Sequence, residues 1–220
     1  MTIRFHSIRT FTELHNPMKD FSLERIPLEI RFDPLTGRSS RVFDLEYIPP
    51  PRPDLEKAAA GSYKGFCPFC PENVDKSTPR FPAELLAEGR LREGCAIVVP
   101  NLLPLDKYAA VCVMGETHYI PIEDLEASVI FDALAASVRF AKRVLEFDAL
   151  VSACSINWNF MPPSGSSIMH PHLQINCGPA ATNELRAQLQ GSLNYSTTGP
   201  GDFWEDYIAQ EKSAGERYLG

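Results

Sequence analysis

Ile168-Met169-His170-Pro171-His172-Leu173-Gln174-Ile175-Asn176-Cys177 is the stretch on which the fold turns. Its residue types favour a strand over residues 168–177, and side chains alternate with a period of two along a strand. His170, His172 and Gln174 then share one face. Two imidazoles and an amide are costly to bury together unless each finds a partner, so a site is expected there rather than a packed core.

Upstream of this stretch, Met161-Pro162-Pro163-Ser164-Gly165-Ser166-Ser167 reads as a polar turn, preceded by a second strand-like run at residues 151–159. Two more β-rich runs, 95–100 and 108–114, are joined by a short loop at 101–107, as in adjacent antiparallel strands. Between the two pairs the period changes. Ile130, Leu134, Val138, Ala141 and Leu145 recur at alternating steps of four and three, which predicts a long amphipathic helix within 122–147 lying across the sheet. The expected fold class is α+β, an antiparallel sheet crossed by a long helix.

The remaining segments are read more coarsely. Residues 10–14 have weak helical character in an N-terminal arm, and 31–37 form a strand entering an Asp33-Pro34 turn, with 42–47 as the returning strand. The proline-rich residues 48–66 are expected to be a loop. Beyond residue 183 the pattern is helix, loop, helix, with Phe203, Trp204, Tyr207 and Tyr218 expected to dock on protein. The expected organisation is an arm at 1–30, a lobe at 31–182 and a helical linker or tail at 183–220.

Composition narrows the classes of function. The 220 residues are 44% hydrophobic and 22% charged, as in ordinary globular chains. A net charge of −7 without a basic patch disfavours long nucleic acids as partners. No apolar run approaches the roughly 20 residues that span a bilayer, and the first ten lack the apolar centre of a secretory signal. No membrane partner and a cytoplasmic location are expected.

Six cysteines are too few and too scattered for a disulfide scaffold. Cys95, Cys112, Cys154 and Cys177 are read as small core residues. Cys67 and Cys70 form a CxxC, a spacing shared by redox and zinc sites. A redox motif normally opens a helix, whereas Pro71-Glu72-Asn73 reads as a rigid loop, so zinc leads. A closed tetrahedral shell needs two more ligands, for which His118 and His170 are the candidates. With His170 on the metal, His172 is left as a nucleophile. His6 and His15 are read as solvated.

Together, Cys67-Pro68-Phe69-Cys70-Pro71-Glu72-Asn73, the loop from Asn101, the turn at His118, Asn159 followed by Gly165-Ser166-Ser167, and His170-Pro171-His172-x-Gln174 resemble the galactose-1-phosphate uridylyltransferase family of the histidine-triad superfamily. The resemblance spans roughly residues 25–190. It implies a nucleotidyltransferase acting by double displacement, in which His172 takes a nucleoside monophosphate from a nucleotide sugar and passes it to a sugar 1-phosphate.

By the same resemblance Gln174 binds a nonbridging phosphate oxygen, and the His170 carbonyl sets the tautomer of His172. Ser166, Ser167 and the backbone around Gly165 supply further donors, while Asn159, Asn101 and Arg31 contact the nucleotide or its phosphates. Family members carry two lobes, which implies a homodimer or association with a second lobe. Glu72 and residues 38–41 depart from the family pattern and leave open a relative that uses an adenine nucleotide, such as an ADP-sugar phosphorylase or adenylyltransferase. A nucleotide-binding module without turnover is the alternative from another class.

Overall fold

In a computed structural model, residues 3–43, 50–51, 53–62 and 66–219 are described. They form two compact units, Met1–Pro50 with Thr182–Gly220, and Pro51–Ala181. The boundary expected at residue 31 falls inside a strand of the first unit.

That unit holds a three-stranded antiparallel sheet of β1 (Ser7–Asn16), β2 (Ser22–Phe32) and β3 (Ser39–Phe43). The helical character expected at residues 10–14 is therefore corrected to strand. Thr10, Phe11 and Thr12 are strand formers, and each pairs with a residue of β2, opposite Leu28, Pro27 and Ile26. The 31–37 turn forms as expected: Asp33 accepts from the Leu35 amide at 3.0 Å, and Gly37 closes it at φ 72°. The returning strand covers residues 39–43, and residues 44–47 of that expectation lie outside the described residues.

Two helices complete the first unit, α4 (Asn183–Thr198) and α5 (Phe203–Ala214), numbered after the helices of the second unit. Thr182 and Asp202 cap them through the amides of Leu185 and Trp204. Phe203 is buried against Tyr195 and Tyr207, but Trp204 and Tyr218 remain exposed, so only part of the expected aromatic docking occurs.

The second unit is built on a five-stranded antiparallel sheet. Its strands β4 (Leu91–Glu93), β5 (Ala96–Pro100), β6 (Tyr108–Met114), β7 (Ala153–Asn157) and β8 (His172–Gly178) lie in the order β4-β5-β6-β8-β7. Helix α3 (Ala127–Phe147) covers one face, meeting Val98, Ala110, Cys112, Leu173 and Ile175. The intervening residues Val99, Val111 and Val113 point to the other face, against Cys67, Phe69 and Cys70. Period-two alternation thus separates a structural face from a chemical one.

Three expectations are corrected in this unit. Within 48–66 a short helix α1 (Leu55–Ser62) forms, because Asp54 caps the Lys57 amide at 2.9 Å and the alanines that follow favour helix. Cys70 is followed by helix α2 (Pro71–Ser77) and not by a rigid loop, since proline is well suited to a helix's first position. Cys95 is exposed at the entrance to β5, where Gly94 lets Asp132 approach closely enough to bind the Cys95 amide at 2.9 Å.

The long helix forms, with a different buried face. Ala133, Ala136, Ser137, Phe140, Ala141 and Val144 are buried, whereas Leu134, Val138 and Leu145 of the predicted stripe are each more than 40% exposed. Small residues on the inner face let the helix lie close to the sheet, and Phe140 fills the centre against Phe81 at a ring distance of 4.8 Å. Among the described residues no helix is long and apolar enough to cross a membrane.

Phe140→Ala is expected to cost about 3–5 kcal/mol in denaturant unfolding. Leu134→Ala, though larger in hydropathy rank than the buried alanines, is expected to cost about 0.5 kcal/mol or less.

Candidate metal centre and histidine crevice

On the chemical face of the second sheet, Cys67, Cys70, His118 and His170 converge. One ligand atom from each lies within 4.8 Å of all the others, and all four residues are buried. Cys70 Sγ is 3.4 Å from His118 Nδ1 and 3.8 Å from His170 Nδ1, and Cys67 Sγ is 4.0 Å from His170 Nδ1. A tetrahedral ion with metal–sulfur and metal–nitrogen bonds of about 2.3 and 2.0 Å has sulfur–nitrogen edges of about 3.6 Å. These spacings bracket that edge, and the cluster can hold a metal ion.

The nitrogens facing away from the cluster are also spoken for. Ser62 Oγ donates to the Ala59 carbonyl at 2.7 Å, so toward His118 Nε2, 3.1 Å away, it is an acceptor. His170 Nε2 donates to the Gly115 carbonyl at 3.0 Å. Gly115 can present that carbonyl because it adopts φ 74°, a conformation that favours glycine. Each imidazole therefore carries its proton on Nε2 and turns a bare Nδ1 toward the thiols. Burial lowers the pKa of His118 and pushes that of His170 down to about 4, which keeps both rings neutral.

Surrounding residues hold the CxxC in place. Asn73 donates its side-chain amide to the Cys67 carbonyl at 2.9 Å. Arg90 is buried beneath α2 and binds the carbonyls of Thr78 at 2.8 Å and Asp75 at 3.1 Å, satisfying the helix end. Neither Ser62, Gly115 nor Arg90 is marked by any motif in the sequence; Asn73 is part of the quoted CxxC segment.

His170 also shapes its neighbour. β8 starts only at His172, because Pro171 has no N–H for the ladder, so His170 sits at the strand's entrance and drops into the cluster. Its carbonyl lies 2.8 Å from His172 Nδ1 and is an acceptor only, which places the His172 proton on Nδ1 and leaves Nε2 with its lone pair. Burial lowers the His172 pKa and keeps this ring neutral as well. The Phe69 ring meets it edge-on at 5.3 Å.

His172, His170, Asn159 and Ser166 line one narrow crevice with Trp158 and Met169, with no room in it for a water molecule. Gln174, two positions beyond His172, is half-buried on the same face of β8, opposite Val111. The Ser166 hydroxyl donates to the Ile168 carbonyl at 2.7 Å, and the amides of Ser164, Gly165 and Ser166 bond to Met161 and Pro162. The donors expected from this turn are thus largely used within it; Ser167 is exposed. Met161, at φ 67°, carries backbone strain there and is fixed by burial beside Met169.

Asn101 does not line the crevice. Asn101 accepts from the Leu103 amide at 3.0 Å in the loop after β5. Arg31, in the first unit, makes two bonds to Glu29 at 2.8 and 3.0 Å.

Purified without chelator, the protein is expected to carry about one metal ion per chain, and Cys70→Ser is expected to lose it. Ser62→Ala, which removes the acceptor behind His118 together with the hydroxyl's bond to the Ala59 carbonyl, is expected to weaken metal affinity about 10–100-fold in a competition titration.

No family model matches the chain. An uncharacterised protein of Archaeoglobus fulgidus is 34% identical over 199 residues, covering 90% of this chain and 58% of the relative. An ADP-glucose phosphorylase from Arabidopsis thaliana, solved with bound ADP-glucose, superposes with a TM-score of 0.54 at 20% identity, over 79% of this chain and 56% of that one. A uridylyltransferase structure gives 0.48 at 23% identity, over 78% and 52%. This chain spans a little over half the length of these proteins. Over the aligned residues it shares the fold of ADP-glucose phosphorylase.

Proposed function

We propose that the chain is a nucleotidyltransferase of the galactose-1-phosphate uridylyltransferase family, moving a nucleoside monophosphate between a nucleotide sugar and a sugar 1-phosphate. The observation that carries this reading is the 2.8 Å bond from His172 Nδ1 to the His170 carbonyl, which leaves Nε2 as an unprotonated nucleophile at a crevice. Nε2 bonds to the α-phosphorus while the bond to the bridging oxygen breaks and sugar 1-phosphate departs. A phosphate oxygen of the second sugar 1-phosphate then attacks the same phosphorus, and the phosphorus–nitrogen bond breaks to restore the imidazole.

The crevice as it stands has no room for a water molecule, so a substrate phosphate reaches His172 Nε2 only when the lining residues move apart, and the remainder of the ligand lies outside. Gln174 donates an amide N–H to a nonbridging oxygen. An amide cannot protonate a leaving group, which favours transfer over hydrolysis. Asn159 is the substrate contact best supported by its place in the crevice. Ser166 and Ser167, Gly165, Asn101 and Arg31 act only after rearrangement or through ligand parts beyond the crevice. The ion is zinc, for which two thiolates and two imidazoles are a closed structural set, and it holds His170 without joining the reaction. A second lobe, from another copy or another segment, completes the substrate site, and the compartment is the cytoplasm.

A second reading, phosphorolysis of an ADP-sugar, is favoured by the fold shared with ADP-glucose phosphorylase and by the departure from the uridylyltransferase pattern at residues 38–41. Incubation with UDP-glucose or ADP-glucose labelled at the α-phosphate, followed by denaturation, tests both. An acid-labile, base-stable protein label is expected from one of the two nucleotides and is expected to vanish in His172→Gly. Gln174→Ala is expected to slow labelling by about 100–1,000-fold. Tight binding without any label would instead mark a nucleotide-binding module.

A further inference from the structure

Cys154 on β7 and Cys177 on β8 face each other directly across the sheet, at the edge of the second unit and outside the metal cluster. Both are unbridged. Antiparallel neighbours come in two kinds, and only the non-hydrogen-bonded kind brings the side chains close.

The ladder decides which kind this is. The Met114 amide donates to the Pro171 carbonyl at 2.9 Å, in the same register that sets Tyr108 opposite Cys177. Backbone groups of alternate residues point to opposite neighbours, so Cys177, six positions after Pro171, gives its N–H and C=O to β6. Toward β7 it is therefore in a non-hydrogen-bonded pair with Cys154. Such pairs have Cα atoms about 4.5 Å apart. That lies within the roughly 4.4–6.8 Å range of disulfides, so a bridge needs no movement of the strands.

We infer that Cys154 and Cys177 are a modification site, a dithiol that a hydroperoxide converts to a reversible cross-strand disulfide. Cys154 is half-buried on an edge strand and is the thiol a small oxidant reaches, whereas Cys177 is wholly buried. Burial, reinforced by Cys154, raises the Cys177 pKa and keeps that thiol protonated until its partner has reacted. The Cys154 thiolate attacks one peroxide oxygen, the O–O bond breaks, and hydroxide leaves as water with the former thiol proton. The sulfur of Cys177 then attacks Sγ of the Cys154 sulfenic acid, the S–O bond breaks, and a second water leaves with the Cys177 proton. Two thiols and one hydrogen peroxide give one disulfide and two waters.

The bridge has a local consequence. Every residue lining the histidine crevice, from Trp158 to His172, lies between the two cysteines, so the disulfide closes that segment into a loop.

The test treats the metal-loaded full chain with hydrogen peroxide, then unfolds, alkylates and maps its peptides. The expected result is one dithiothreitol-reducible peptide pair joining Cys154 and Cys177, regenerated over repeated cycles of reduction and oxidation. Cys154→Ser is expected to abolish the pair and leave Cys177 alkylated. Recovery of both cysteines from the wild-type chain as separate alkylated or sulfinic-acid peptides overturns the proposal. That readout needs no variant to fold.

Discussion

One residue, His170, ties the metal cluster to the histidine beside the crevice. Its ring turns Nδ1 to the thiols of Cys67 and Cys70, while its carbonyl accepts the proton of His172. A carbonyl only accepts, so His172 Nδ1 is the donor in that bond. Fixing the His170 backbone fixes the tautomer of His172, and a correct tautomer is what separates a nucleophilic imidazole from an inert one. In the proposed reaction the cluster would act at a distance of two residues, through the His170 backbone.

The sheet makes this arrangement possible at little expense. Alternation along β6 and β8 sends Ala110, Cys112, Leu173 and Ile175 to the helix and leaves Val111, Val113, His172 and Gln174 on the other side. The helix face carries most of the apolar core, so the opposite face is able to accommodate polar groups. The three imidazoles there are each partnered: Gly115 and Ser62 for the two metal-facing rings, the His170 carbonyl for His172. Among the described residues no buried side-chain nitrogen or oxygen lacks a partner.

Much of this was legible from residue types and spacing. Polar residues at every second position around His172 could not all be core, and a CxxC with two distant histidines fits a four-ligand set. The N-terminal hairpin was not legible, because Phe11 and Leu14 are spaced as in a helix and only pairing with β2 decides between the periods. The buried face of α3 was hidden for a related reason. Its apolar surface is wider than one stripe, and nothing local tells that Ala133 and Ala136 go in while Leu134 and Val138 stay out. Helix α1, which brings Ser62 to His118, followed a run of prolines that masked its alanines. Ser166 looked like a phosphate donor, but the turn itself takes its proton.

The central claim is the protonation of a single ring, and heteronuclear NMR of histidine ring nitrogens in the metal-loaded protein at neutral pH measures it directly. The account predicts that His172 is neutral, protonated at Nδ1 with a bare Nε2. A signal from His172 with the proton on Nε2, or on both nitrogens, contradicts it.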